Sequence, residues 1–190
     1  VIRHLSYSLD DTIAAIATPV GSGGIGIVRL SGPEACSILE QVFRPARPLL
    51  PLQLTYGHIV DPHGTQVVDE VLAAYMPAPR TYTRQDVVEI DCHGGPLPLR
   101  RVLDLCLAHG ARPAGPGEFT LRAFLNGRVD LAQAEAVADV VAAKTEAGLR
   151  MAMAQLDGQL SGRLQTIRAR LLDALAWIEA SIDFEQDEVL

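Results

Sequence analysis

Two stretches of this 190-residue chain carry side chains whose types and spacing suit chemistry. The first runs Tyr82-Thr83-Arg84-Gln85-Asp86-Val87-Val88-Glu89-Ile90-Asp91-Cys92-His93-Gly94-Gly95-Pro96 and ends a β-branched run on a glycine turn. Side chains alternate across a strand, so Val88, Ile90 and Cys92 share one face while Val87, Glu89 and Asp91 share the other. Glu89 is thus a carboxylate on the more polar face, just before a turn and a helix start. Cys92-His93 suggests a nucleophile and its base, but adjacent strand residues point apart, which argues against that pairing. His93-Gly94-Gly95 is expected instead to form a tight turn whose free amides face a ligand.

The second stretch runs from Pro116 to Ala136. Pro116-Gly117-Glu118 reads as a loop entering a helix, with Glu118 in the first turn, where a negative charge is favoured. Asn126-Gly127 stops that helix. Asp130 then caps the next one, and Gln133 three residues on completes a capping box in its Asp variant. Arg128, in the loop between the two helices, has no such structural reason.

Gly21-Ser22-Gly23-Gly24-Ile25-Gly26 spells G-x-G-x-x-G. A dinucleotide site needs that loop to lead from a strand into a helix. Here Ile25-Gly26-Ile27-Val28-Arg29-Leu30 reads as a second strand, so the loop is a strand-to-strand connection with room for backbone to approach a ligand. No G-x-x-x-x-G-K-[S/T] phosphate loop occurs anywhere in the sequence.

The elements that must position these residues fall into two parts. Strands are expected at Thr12–Ala17, Gly26–Leu30, Leu54–Val60, Val67–Tyr75 and Val87–Cys92, with a turn at Asp61-Pro62-His63-Gly64. Helices are expected at Pro33–Phe43 and Leu97–His109, with the proline-rich Arg44–Pro51 as a loop. No proline follows Pro116, and Ala, Leu, Gln and charged residues dominate from about residue 126. Three helices are expected there: Leu131–Ala143, Thr145–Leu156 and a long third one. In the third, Leu160, Leu164, Ile167, Leu171, Leu175, Ile178 and Ile182 form one apolar stripe that must pack on something. Its polar face carries Arg163, Arg168, Arg170, Asp173 and Glu179.

Composition excludes whole classes of function. Nearly half of the residues (48%) are hydrophobic, enough for a buried core. The net charge of −7 disfavours a broadly basic nucleic-acid platform, though not a local patch. The helical part carries most of that negative charge. Fifteen of the sixteen basic residues are arginine. Cys36, Cys92 and Cys106 are odd in number and widely spaced, which fits a reducing cytoplasm without a disulfide framework or a zinc site. No apolar run approaches the ~20 residues of a membrane helix, and no leader opens the chain. Val1 in place of Met suggests a trimmed piece.

At the two chemical stretches the sequence resembles the N-terminal portion of the tRNA modification GTPase family (MnmE, also called TrmE). The matching residues are Asp11 to Pro19, Gly23 to Gly32, Tyr82-Thr83 with Asp86 to Ile90, Cys92 to Pro96, Pro116 to Gly127, Asp130 to Ala136 and Ile182-Asp183-Phe184. The resemblance implies an α+β protein. Residues 1–125 would be an α/β domain similar to the folate-binding module of aminomethyltransferases, and 126–190 the first part of a helical domain, truncated before an inserted GTPase domain. It implies 5-formyl- or 5,10-methylene-tetrahydrofolate as one-carbon donor for modifying the tRNA wobble uridine, bound through Arg29, Glu89 and Arg128. A pterin edge presents an N–H and an amino group side by side, which a carboxylate such as Glu89 can accept as a pair. It further implies a cytoplasmic homodimer formed through the first domain, an FAD-dependent tRNA-modifying partner (MnmG/GidA-like), and tRNA. Sites for GTP, Mg and K would be absent from this chain, and no catalytic residue is assigned.

The sequence departs from the family pattern at three places. Arg84-Gln85 stands where Gly-Glu is usual, Asp91 where a neutral residue or His is common, and Arg128 where Lys is usual, exchanging a point charge for a planar fork. Two other functions are compatible with the sequence. One is a stand-alone folate-dependent transferase using Asp91 or His93 as acid or base, and the other a non-catalytic dimerisation scaffold.

Overall fold

A computed structural model describes residues 10–61 and 66–184 of the chain. The chain divides into two compact units, with the division between Arg128 and Val129.

The first unit is built on strands β1 (Ile13–Ile16), β2 (Ile25–Ser31), β3 (Phe43–Pro45), β4 (Thr55–Val60), β5 (Val67–Met76), β6 (Val87–His93) and β7 (Arg112–Pro113). They form one sheet in the order β3-β4-β5-β6-β2-β1-β7. Every pairing is antiparallel except that of β1 with β7. Helices α1 (Ala35–Val42), α2 (Pro96–Ala108) and α3 (Glu118–Leu125) complete the unit. Val28 and Leu30 of β2 and Val88, Ile90 and Cys92 of β6 point into a core shared with Ile38, Leu39 and Val42 of α1 and Leu99, Val102 and Cys106 of α2. The alternate residues Ile27, Arg29, Glu89 and Asp91 lie half-buried on the other face. A period of two along β2 and β6 therefore separates core from site.

The α+β class matches the sequence expectation, and the G-x-G-x-x-G stretch does connect two strands, β1 and β2. Two short strands were not expected. Phe43 begins β3 rather than ending α1, and Arg44 and Pro45 are strand rather than loop. The reason is packing. Phe43 is buried, and its ring lies so close to Gly57 that a Cβ there would sit 2.5 Å from Phe43 Cε2. Pro45 is tolerated because β3 is an edge strand. The two residues of β7 are too few, and one is a proline, to show as a strand in sequence. The expected turn lies past Asp61 outside the described residues, but its flanking strands pair as a hairpin, with Val60 opposite Val67.

The second unit holds α4 (Leu131–Ala142), α5 (Glu146–Leu156) and α6 (Gln159–Phe184). The capping box is formed: Gln133 N donates to Asp130 Oδ1 at 2.9 Å, and Asp130 N donates to Gln133 Oε1 at 3.0 Å. α4 and α5 are stitched reciprocally, Gln133 Nε2 to the Leu156 carbonyl at 2.8 Å and Gln155 Nε2 to the Ala132 carbonyl at 2.9 Å. Gly158, at φ 86°, breaks α5 from α6. The stripe on α6 was expected to be covered, yet all seven of its members are exposed, from 41% at Leu160 to 66% at Leu171. Helices of 12 and 11 residues are too short to screen one of 26 at 1.5 Å rise per residue. No helix among the described residues is long and apolar enough to cross a membrane.

Candidate functional site

Arg29 of β2 and Glu89 of β6 are cross-strand partners, and their register continues outward to Ala15 of β1 and Ala74 of β5. One row across the half-open face thus reads Ala15, Arg29, Glu89, Ala74. The side chains of the central two are joined, Arg29 Nε to Glu89 Oε1 at 2.7 Å and Arg29 Nη2 to the same oxygen at 2.6 Å. Both contacts converge on Oε1. Small neighbours on either side keep the floor beside the charged pair low. Asp91 stands one row along, opposite Ile27 and Leu72. Burial, helped by the charge of Glu89, pushes its pKa above the ordinary carboxylate value.

α3 borders this face, and a buried ionic network holds it there. Arg122 and Glu118, one turn apart, are each only 1% exposed. Arg112 Nη2 donates to Glu118 Oε1 at 2.6 Å, Arg122 Nη2 to the same oxygen at 3.2 Å, and Gly115 N to Glu118 Oε2 at 2.7 Å. Arg112 Nε also donates to Asp11 Oδ2 at 2.6 Å, and Arg122 pairs with Asp11 Oδ1. For Asp11 the Arg112 hydrogen bond leads in holding the pKa down, with Arg122 assisting against burial. For Glu118 burial is the largest influence and works upward, but Arg112, the Gly115 amide and Arg122 together outweigh it. Glu118 stands in the first turn of α3, as the sequence suggested, and is buried there as a clasp. The clasp sets Phe119 beside Arg29, whose guanidinium lies 5.8 Å from the ring centroid. It also sets Thr120 Oγ1 at 2.9 Å from Tyr82 Oη.

Arg128 does not join the Arg29–Glu89 pair directly. Its guanidinium lies 4.8 Å over the Tyr82 ring, beside a hollow that Arg80 and Arg84 also line. Arg128, which lacked a structural reason in sequence, therefore has an aromatic seat. Tyr82 links the two places through Thr120 on α3. Phe119, Tyr82 and the Asp11–Arg112–Glu118–Arg122 network had no role in the sequence reading. The Glu118/Arg122 spacing of four was a possible signal. The pairing of Asp11 with Arg112 across a hundred residues left none.

The turn after β6 corrects an expectation. Its amides do not face a ligand. His93 N donates to Asp69 Oδ2 at 2.9 Å, Gly94 N to the Gly24 carbonyl at 3.4 Å and Gly95 N to the His93 carbonyl at 2.8 Å. Gly23 N in turn donates to the Gly94 carbonyl at 2.7 Å, so the turn fastens the β1–β2 loop. A Cβ on Gly94 would lie 2.5 Å from the Gly23 carbonyl oxygen, so another strand of backbone takes up the close approach that the glycine allows. Cys92 is buried and His93 exposed, as strand alternation requires. Burial lifts the Cys92 thiol to about 12, far from a thiolate nucleophile. His93 Nδ1 lies 2.6 Å from Asp69 Oδ1, and that hydrogen bond raises the imidazole pKa above 6.5.

Two family models match the sequence in tandem. Residues 12–128 match the GTP-binding protein TrmE N-terminus, and 131–190 match the MnmE helical domain. Relatives named tRNA modification GTPase MnmE include one from Alkaliphilus oremlandii, 54% identical over 186 residues, and one from Roseiflexus castenholzii, 58% identical over 182 residues. Another, from Geobacter sulfurreducens, is 56% identical over 183 residues. Each alignment covers 95% of this chain, which spans about 40% of the length of these relatives. On these matches the chain belongs to the MnmE family of tRNA modification GTPases and corresponds to its N-terminal and helical domains.

Proposed function

We propose that the first unit binds a reduced folate, 5-formyl- or 5,10-methylene-tetrahydrofolate, as one-carbon donor for modifying carbon 5 of the tRNA wobble uridine. The observation that carries this reading is the Arg29–Glu89 pair, set on a half-open sheet face between Ala15 and Ala74. The low alanine floor suits a flat ring, and a carboxylate matches the paired N–H donors of a pterin edge. Arg29 meets Glu89 at Oε1 with two nitrogens and so orients its carboxylate. Arg128, seated on Tyr82, offers a planar cation to the far end of the ligand. When bound, the folate supplies the carbon unit, and this chain's part is to hold and orient it.

In the longer relatives' setting, this unit acts in a homodimer that it forms itself. It serves a GTPase whose GTP, Mg and K sites lie in other sequence, since this one has no phosphate loop. An FAD-dependent tRNA-modifying protein and tRNA are the proposed partners. Isothermal titration with 5-formyltetrahydrofolate tests the folate reading. Saturable binding by the wild type, lost in Glu89→Ala, supports it; no heat with the wild type, or unchanged binding in the variant, overturns it.

A further inference from the structure

Three of the fifteen arginines converge on one hollow of about 500 Å³ in the first unit. Arg80, Arg84 and Arg128 line it together with Thr81 and Tyr82, and no acidic side chain does. Arg29, Arg112 and Arg122 each have a carboxylate partner, whereas none of these three forms an ion pair among the described residues. Two of the heads are positioned without being neutralised: Arg128 over Tyr82 at 4.8 Å, and Arg84 Nη1 donating to the Asn126 carbonyl at 3.1 Å.

The loop that presents them is pinned from several sides. Asn126 Nδ2 donates to the Thr83 carbonyl at 2.6 Å, Thr81 Oγ1 to the Gln85 carbonyl at 2.6 Å, and Ala78 N to Asp86 Oδ1 at 2.8 Å. Arg84 itself sits at φ 59°, a conformation that favours glycine, and a long cation held there invites a functional reason. In a chain of net charge −7, a cluster of uncompensated guanidiniums concentrates positive potential in one place.

The hollow also adjoins the Arg29–Glu89 row through α3. Phe119 lies beside Arg29, and the next residue, Thr120, bonds Tyr82 at 2.9 Å. The contacts thus run from the Arg29–Glu89 pair through Phe119 and Thr120 of α3 to Tyr82, which lines the hollow. We infer that the hollow receives the γ-linked polyglutamate tail of the folate, a flexible string of carboxylates that planar guanidiniums can meet in pairs. The inference rests on the folate reading above and assigns Arg80 and Arg84 to the tail alone.

The test is titration of the 190-residue chain with 5-formyltetrahydrofolate carrying one glutamate or five, at low and high salt. The five-glutamate ligand is expected to bind about tenfold tighter, with the gain shrinking as salt screens the exposed charges. In Arg80→Ala with Arg84→Gly, the ratio between the two ligands falls towards one; glycine accepts the positive φ at residue 84. Arg80→Gln alone, on an exposed side chain, gives a smaller loss in the same direction. Equal binding of the two ligands by the wild type, or an undiminished ratio in the variants, overturns the inference while leaving the folate reading intact. Variants that weaken an RNA hairpin but keep the ratio overturn it in favour of nucleic acid. Failure of either folate to bind overturns the folate reading and the inference with it.

Discussion

Arg29 and Glu89 lie sixty residues apart in sequence but directly opposite in register on β2 and β6, and both Arg29 contacts end on the same oxygen, Glu89 Oε1. The arginine therefore orients the carboxylate. Glu89→Gln keeps the shape but replaces one acceptor oxygen with a donor, and is expected to weaken 5-formyltetrahydrofolate binding about tenfold or more. Arg29→Ala releases the Glu89 rotamer and is expected to weaken binding in the same direction. Calorimetric dissociation constants equal to wild type in both variants would reject the pair as the ligand's anchor.

The Glu118 clasp is a matter of stability. Glu118→Ala leaves the buried Arg122 without its i−4 carboxylate and removes one partner of Arg112. A loss of ~3–5 kcal/mol in urea unfolding is expected, because the penalty is that of a stranded buried charge. A loss below ~1 kcal/mol would mean that Asp11 alone can hold both arginines.

The same network fixes an acid dependence. Asp11 and Glu118 have folded pKa values lowered from 3.8 and 4.5 respectively. Their contribution is fully present above those unfolded values and is lost as pH falls through the lowered ones. Thermal melts should show the midpoint dropping below about pH 4, with a shallower drop in Asp11→Asn. An equal drop in that variant would put the acid sensitivity elsewhere.

His93 carries the opposite sign. Its pKa is raised above 6.5 by the Asp69 hydrogen bond and charge. The stabilisation is present below 6.5 and fades as pH rises through the folded value. A two-dimensional NMR titration should show His93 titrating above 6.5 in the wild type and returning towards it in Asp69→Asn. Identical midpoints would dissolve the pair.

Glycine substitutions separate packing from freedom. Gly94→Ala forces a Cβ to 2.5 Å from the Gly23 carbonyl oxygen, which is backbone and cannot swing aside. A destabilisation of ~1–3 kcal/mol is expected. A Cβ at Gly24 meets nothing within 4 Å, so Gly24→Ala should leave the melting temperature almost unchanged. Similar losses in the two would point to chain entropy rather than contact.

The strand alternation around Glu89, the helix stop at Asn126-Gly127 and the Asp130–Gln133 box were all legible in sequence, because each depends on neighbours within a few residues. The strand-to-strand nature of the glycine loop was legible for the same reason. The free amides expected at His93-Gly94-Gly95 were not there: Gly95 N is taken by the His93 carbonyl within the turn, and the partners of the other two, Asp69 and Gly24, come from distant segments.

By itself the sequence determined the period-two strands, the change to a helical second part, and the faces on which Glu89 and Asp91 stand. Only the tertiary structure decided that Arg29 reaches Glu89, that Arg128 sits on Tyr82 beside two further arginines, and that Glu118 is buried among arginines. Local pattern sets which face a side chain takes, since that needs only backbone geometry. Which charge it meets there depends on the order of strands in the sheet, and that order is settled by packing the whole core at once.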